Sequence, residues 1–431
     1  MAPLSADPSS DLNRNKIPSL HEEMDQIKAF LAEHAALAVV LIDTSRIVKI
    51  ENDYGKRIYA NIFDELTQLV IQMKGTVIRV EDIVTINYAE GKDQFLIFLS
   101  KKRRGVMLHT DELEVMADRI HNHINFELLP TVCPYLKAVP RIQIGYAQVI
   151  HNALIKEERL IYAVIDDAKA MADHRAFRRR ARSKEALQEL IIAGSVTTIF
   201  QPIVRLGDRS VIGYEALSRG PEHTPYENPF ILFDAARDVG LAFELDRVCR
   251  TKALTNARHL KPDLALFINC LPTAVHDPDF KGDRLSALLD GLKLSPMRIV
   301  LEISEHDAIE NFKVFRDAMR YYSDIGFAIA MDDAGSGYSS LEAVVELRPN
   351  FLKLDISLIQ GIHANPLKQE LVRGLATLAG RMQAQVVAEG IETDEDLAAL
   401  AALGVPLGQG YLIAKPGSAF SDFEPVEIHD P

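Results

Sequence analysis

From about Val196 onward the chain alternates short apolar runs with helix-length amphipathic stretches, and most of the runs carry a charged or amide side chain at or near their end. The runs are "TTIFQPIV" (197–204), "LALFINC" (264–270), "RIVLEIS" (298–304), "FAIAMDD" (327–333), "FLKLD" (351–355), "QVVAEG" (385–390) and "GQGYLI" (408–413). Apolar strands separated by helices bury both faces only in a largely parallel sheet covered by helices. Repeated this many times, the pattern predicts a (β/α) barrel. In a barrel the C-terminal strand ends converge on one face, and that face carries the active site. Glu215 in "IGYEALSRG", Asn269, Glu302, Asp332, Asp333, Lys353 and Glu389 each fall at or near such an end. Five carboxylates, one amide and one lysine would then share a pocket.

So many carboxylates do not stay ionised together without cations. All the candidate donors are oxygen, with no His or Cys among them, which points to a hard divalent ion such as Mg²⁺ or Mn²⁺. Adjacent aspartates suit a pair of ions, and two-ion sites of this kind act on phosphate esters. Lys353 is placed to orient a water or to neutralise a phosphate. A single Glu at a strand end is more often a cap or a surface ion pair; seven such residues at successive ends favour a common site.

"YEALSRG" resembles the signature of the EAL-domain cyclic-di-GMP phosphodiesterases, and the resemblance runs from "FQPIV" (200–204) to "GQGYLIAKP" (408–416) with the motifs in the family's order. It implies a modified (β/α)₈ barrel that opens cyclic di-GMP to linear pGpG with two Mg²⁺ or Mn²⁺ ions. Carried over by position, Glu215, Asn269, Glu302 and Asp332 would hold the first ion, and Asp332, Asp333 and Glu389 the second. Lys353 would orient the water, and Glu389 is shared between the roles of ligand and base. Gln201, Leu217, Arg219, Asp355 and Gln409 match positions lining the substrate, Arg219 suiting a phosphate through its fixed guanidinium fork. Glu305 in "EISEH" matches a glutamate that steadies the loop after the paired aspartates. That loop departs from the family at Ala334 and Ser336, where Phe and often Thr are usual, and "CLPTAVHDPDF" departs from the usual "NLSP" at Leu271. Family inheritance also implies a homodimer.

The first half reads as a smaller α/β domain, with strands at 37–45, 82–89, 93–100 and 141–149 and helices between them. "LAVVLIDTSRIVKIENDYG" followed by "EGKDQFLIFL" resembles a GGDEF, or diguanylate-cyclase, domain. By that resemblance Asp43 matches a metal-binding aspartate, Asn52 and Asp53 the nucleotide-contacting pair, and Asp93 a signature position. The signature has decayed to Gly91-Lys92-Asp93-Gln94-Phe95. Lysine blocks the backbone approach that a second glycine permits, and Gln94 replaces a carboxylate. The expectation is an inactive regulatory or dimerising domain, with GTP or a protein as its partner. An Arg-x-x-Asp pattern at Arg79 and Asp82 lies off the usual spacing of an inhibitory site, and "HNH" (121–123) reads as a surface cluster on a helix.

The chain has 431 residues, more than one core supports, and divides on this reading into a disordered tail (1–20), the GGDEF-like domain (21–172), a charged linker helix (173–192) and the barrel (193–431). Its formal net charge of −13 argues against a nucleic-acid polymer as partner, and the basic runs at 100–105 and 174–184 read as solvated faces. Cys133, Cys249 and Cys270 lack metal-type spacing and fit buried thiols in a reducing compartment. No run reaches the length of a membrane span and no export signal is read at the N-terminus, so a soluble cytoplasmic protein is expected. A barrel that holds the dinucleotide or a protein without cutting it is the alternative. Silent barrels usually lack a ligand or the lysine, and none is missing here.

Overall fold

The computed structural model of the protein describes residues 17–88, 93–99, 109–136, 141–304, 312–334, 347–418 and 420. The chain forms two compact units, 1–183 and 184–431. The stretch read as a linker helix from 173 is the latter part of a longer helix, Glu157–Ala193, and the division between units falls inside it.

In the first unit, β1 (Ala36–Asp43), β2 (Ile83–Asn87), β3 (Gln94–Leu99) and β4 (Gln143–Ile150) form an antiparallel sheet in the order β2-β3-β1-β4. With α1 (Lys56–Gln72) after β1 and α2 (Thr110–Leu136) after β3, this is the split βαββαβ arrangement of ferredoxin-like folds. Strand β1 is apolar on both faces because helices cover both sides of the sheet. Helix α1 turns Tyr59, Ile62, Leu66 and Val70 inward, a spacing of three and four residues that makes one apolar stripe. Gly145 on β4 lets the strand approach the long helix: a Cβ there would meet Ala168 O at 1.9 Å. The tail expectation fails at its end. Ile17 and Leu20 are buried, and Leu20 N–H donates to Ile86 O at 2.8 Å, because β2 would otherwise have a bare edge. His121 is no free surface group either; it is half-buried, 3.1 Å from Ile142 O, and burial pushes its pKa down to about 4.

The second unit is a closed barrel of eight strands: β5 (Thr197–Arg205), β6 (Val211–Arg219), β7 (Ala265–Asn269), β8 (Ile299–Ser304), β9 (Ala328–Ala334), β10 (Phe351–Leu354), β11 (Gln385–Ala388) and β12 (Leu407–Gly408). Neighbours are parallel except that β5 runs antiparallel to both β6 and β12. A short turn rather than a helix joins β5 to β6, which leaves only an antiparallel hairpin open to them. "VIGYEALSR", absent from the list of apolar runs, is the strand that pairs with β5. The run "GQGYLI" yields only the end of a two-residue strand. At Gly410 the backbone lies so close to Ile391 that a Cβ would meet its N and O at 2.2 Å, and the chain turns away there.

A layer of Ile203, Phe267, Val300, Ala330, Val387 and Leu407 fills the barrel. Phe267 is fully buried and meets Phe351 edge to face at 5.1 Å. Phe267→Ala is expected to cost about 3–5 kcal/mol, read as a lowered denaturant midpoint, because the surrounding strands are fixed by the closed sheet and cannot collapse into the space.

Candidate active site

The polar residues stand one strand repeat above that apolar layer. Side chains two apart on a strand share a face. Phe267 is therefore followed by Asn269, Val300 by Glu302, Ala330 by Asp332, Val387 by Glu389 and Leu407 by Gln409; on the reversed strand β5, Gln201 precedes Ile203. The same alternation that packs the interior aims a polar ring at the C-terminal mouth of the barrel.

Lys353 is the centre of the ring and is fully buried. Its Nζ lies 2.6 Å from Glu389 Oε1, 2.7 Å from Glu302 Oε1, 3.3 Å from Asp332 Oδ1 and 3.5 Å from Glu215 Oε2. Asn269 Nδ2 donates to Glu215 at 3.2 Å and to Glu302 at 3.3 Å. Gln409 Nε2 donates to Glu215 at 2.6 Å and to Glu389 at 3.2 Å.

Adjacent residues on a regular strand point to opposite faces, so Asp332 and Asp333 could not both reach one site without a break in the pattern. The break is visible in the register. Leu352 pairs with Met331 and Leu354 with Ala334, so both aspartates stand opposite the single residue Lys353, as in a β-bulge. Asp333 takes φ +61, the left-handed region that side chains seldom adopt, and its N–H donates to Asp332 Oδ1 at 3.0 Å. Carboxylate oxygens of Asp332, Asp333 and Glu389 thereby come within 4.8 Å of one another.

Four carboxylates face one ammonium, with Asp333 beside them, and the protonation balance reflects the excess. Burial pushes the Glu302 carboxyl well above the usual range, and the charge of Glu215 adds to it. Glu389 is raised well above that range by burial and then by Asp332. Burial works against the Lys353 ammonium, yet Asp332, Glu215, Glu302 and Glu389 together hold it well above an ordinary lysine. Glu215 is also opposed by burial, but Lys353 and the amides of Gln409 and Asn269 keep it below the usual carboxylate value. An all-oxygen cluster with surplus negative charge is the donor set that hard divalent cations take.

The remaining sequence-derived residues are distributed as follows. Gln201 lies opposite Glu215 across the β5–β6 pair, and its Nε2 donates to Ala414 O at 3.0 Å. Leu217 and Arg219 follow on β6, half-buried, with Arg219 Nη1 donating to Ser218 O at 2.8 Å. Asp355 caps the short helix Ile356–Ile359, accepting from Ser357 N–H at 2.9 Å. Glu305 and Ser336 lie outside the described residues, as do Gly91 and Lys92. In the first unit Asp43 ends β1 opposite Gln94, and Tyr59 Oη donates to Asp93 Oδ2 at 2.8 Å. Asn52 and Asp53 are exposed on the helix Val48–Tyr54. Gly390, unremarked in the sequence, is a further constraint beside Glu389: it takes φ +67, and a Cβ would meet Ile356 Cγ1 at 2.3 Å. Its signal was the glycine directly after a strand-end acid.

The EAL domain family matches residues 184–416, more than half of the chain. The probable cyclic di-GMP phosphodiesterase PdeG of Escherichia coli (strain K12) is 27% identical over 254 residues, covering 58% of this chain and 50% of PdeG. The cyclic di-GMP phosphodiesterase PdeF of the same strain is 28% identical over 262 residues, covering 60% of this chain and 35% of PdeF. The chain thus spans half or less of the length of these curated relatives. Among solved structures, the FimX EAL domain from Pseudomonas aeruginosa bound to c-di-GMP aligns with a TM-score of 0.50 and 25% identity, over 56% of this chain and 98% of that one. Motif order, the closed eight-stranded barrel and the matched span agree: this chain belongs to the EAL domain family.

Proposed function

We propose that the barrel unit is a phosphodiesterase that hydrolyses cyclic di-GMP to linear pGpG with the help of Mg²⁺ or Mn²⁺. The observation that carries this reading is the complete ring around Lys353, with the bulged pair Asp332 and Asp333 beside Glu389. Relatives named as cyclic di-GMP phosphodiesterases and an EAL domain solved with c-di-GMP support the substrate.

Glu215, Asn269, Glu302 and Asp332 would hold one ion, and Asp332, Asp333 and Glu389 the other. When bound, such ions supply positive charge against the phosphodiester and the charge that develops on its oxygens. Arg219 grips a non-bridging phosphate oxygen. Glu389 takes the proton of the attacking water as its oxygen bonds to phosphorus. The P–O3′ bond breaks, its electron pair stays on the 3′ oxygen, and Glu389 returns the proton it took from water to make the 3′ hydroxyl. Lys353 keeps Glu389 and the water in line. Gln201, Leu217, Asp355 and Gln409 shape the substrate side, and Glu305 steadies the loop after Asp333. The first unit acts in this reading as a degenerate GGDEF-like regulator, responding to GTP or a protein through Asp43, Asn52, Asp53 and Asp93, in a cytoplasmic homodimer.

The test is to incubate the full chain with cyclic di-GMP and Mg²⁺ or Mn²⁺, with and without GTP, and to separate the nucleotides by chromatography. Metal-dependent pGpG supports the reading. Binding of cyclic di-GMP with no product makes the chain a receptor instead. Protons should also compete with the ions. Because Glu302 and Glu389 hold protons above the ordinary carboxyl range, metal binding must release them, so Mn²⁺ affinity should rise with pH. Calorimetric titrations at about pH 6 and about pH 8, in buffers of different ionisation enthalpy, measure both the affinity and the protons released. A pH-independent affinity with no release would contradict the ligand set.

A further inference from the structure

We propose that Asp246, Arg250 and Asp277 form a buried brace that positions Asn269 for cation binding; the inference rests on reading the polar ring as a divalent-cation site. None of the three is among the partners of Lys353, Asn269 or Gln409 in the ring. Asp246 and Arg250 lie one turn apart on the helix Ala242–Asn256, which packs behind β5, β6 and β7. Arg250 is 1% exposed, Asp246 4% and Asp277 1%.

Two buried carboxylates against one buried guanidinium, with the half-exposed Arg247 only approaching Asp277 at 4.0 Å, is a poor way to stabilise a core. Apolar residues of similar size would do as well or better, while removal of one partner leaves a buried charge unpaired. What the trio supplies is geometry. Arg250 Nε donates to Asp246 Oδ2 at 2.7 Å and Arg250 Nη2 to Asp277 Oδ2 at 3.0 Å, with the guanidinium 4.2 Å above the Phe280 ring. Each carboxylate turns its other oxygen to the backbone. Asp246 Oδ1 accepts from Leu271 N–H at 3.1 Å, and Asp277 Oδ1 from Asp279 N–H at 3.0 Å. One rigid fork thus clamps both ends of the segment 271–280.

That segment begins where β7 delivers Asn269. The Asn269 side chain is exposed, so its placement follows from the backbone that carries it. That backbone is pinned on one side by Cys270 N–H donating to Glu302 O at 2.9 Å, and on the other by the bond from Leu271 to Asp246. From there the amide reaches Glu215 and Glu302 together. Partners behind a ligand commonly govern metal affinity as strongly as this, without contact with the ion.

Asp246→Asn in the full chain keeps size and one oxygen for Leu271 but drops the charge that holds Arg250. Two quantities are read: Mn²⁺ affinity by calorimetry with the metal alone, and amide hydrogen exchange over residues 269–280 in metal-free protein. Mn²⁺ binding should weaken on the order of 10-fold and exchange over 269–280 should quicken. Arg250→Lys, which keeps the charge and loses the fork, should do the same and serves if the first variant does not fold. Leu375→Ala, a core change on the helix Pro366–Arg381, lowers stability without touching the brace and should change neither quantity. Parent-like affinity and exchange in the foldable variant, or an equal effect of Leu375→Ala, overturns the brace. A parent that binds Mn²⁺ but makes no pGpG overturns the phosphodiesterase reading and leaves the brace standing. A parent that binds no Mn²⁺ overturns both.

Discussion

Lys353→Met should cut hydrolysis steeply and also weaken the fold. The ammonium is fully buried among Glu215, Glu302, Asp332 and Glu389, so its removal leaves four carboxylates without their common partner. Breaking a buried pair in this way costs about 3–5 kcal/mol, because the charges left behind are neither solvated nor matched. The rate should fall on the order of 10³-fold or more, since the group that aligns Glu389 and the water in the proposed mechanism is gone. Chemical denaturation of metal-free protein measures the first effect and pGpG formation the second. Added Mn²⁺ should return part of the lost stability, by supplying positive charge to the same oxygens. A variant with the parent's rate would refute the assignment of Lys353.

Glu389→Gln should lose as much activity while leaving the fold intact. The amide keeps the carbonyl oxygen that accepts from Lys353 and Gln409, so the packing survives. It cannot take a proton from water, and it is a poor cation ligand, so a fall on the order of 10³-fold is expected with cyclic di-GMP still bound. The stability effect has the opposite sign to that of Lys353→Met. A carboxyl whose pKa is raised in the folded state contributes fully below its unfolded value, and that contribution is lost as pH rises through the folded value. Glu389 is such a group, and glutamine stays neutral throughout. At neutral pH without metal, the thermal midpoint of the variant should therefore equal or exceed the parent's. A clear drop in midpoint, or hydrolysis at the parent rate, would remove Glu389 from its proposed role.

The barrel was legible because burial on both faces writes itself into a strand as an unbroken apolar run, and each run here is short enough to exclude a helix. The polar ring was legible for a related reason: a charge at the end of such a run has few places to go other than the mouth. Strand β6 was less visible, since its alternating "VIGYEALSR" lacks an unbroken apolar run, and β12 was overread because "GQGYLI" is apolar where the chain turns under the constraint of Gly410. The helix at Glu157–Ala193 was seen only in its charged C-terminal part. The burial of Ile17 and Leu20 was masked by the polar, Pro- and Ser-rich residues around them. Nothing local sets Asp246 and Arg250 apart, since an i,i+4 acid–base pair is common on helix surfaces. Only their burial against Asp277 sets them apart.

The sequence by itself determined which residue types meet, because side-chain direction along a strand has period two and the apolar layer therefore dictates where Asn269, Glu302, Glu389 and Gln409 must point. Tertiary structure alone decided how the paired aspartates act together. Local periodicity sends Asp332 and Asp333 to opposite faces; pairing with β10 forces both opposite Lys353 and turns Asp333 into the left-handed region. That register belongs to two strands at once, and no single stretch of chain encodes it.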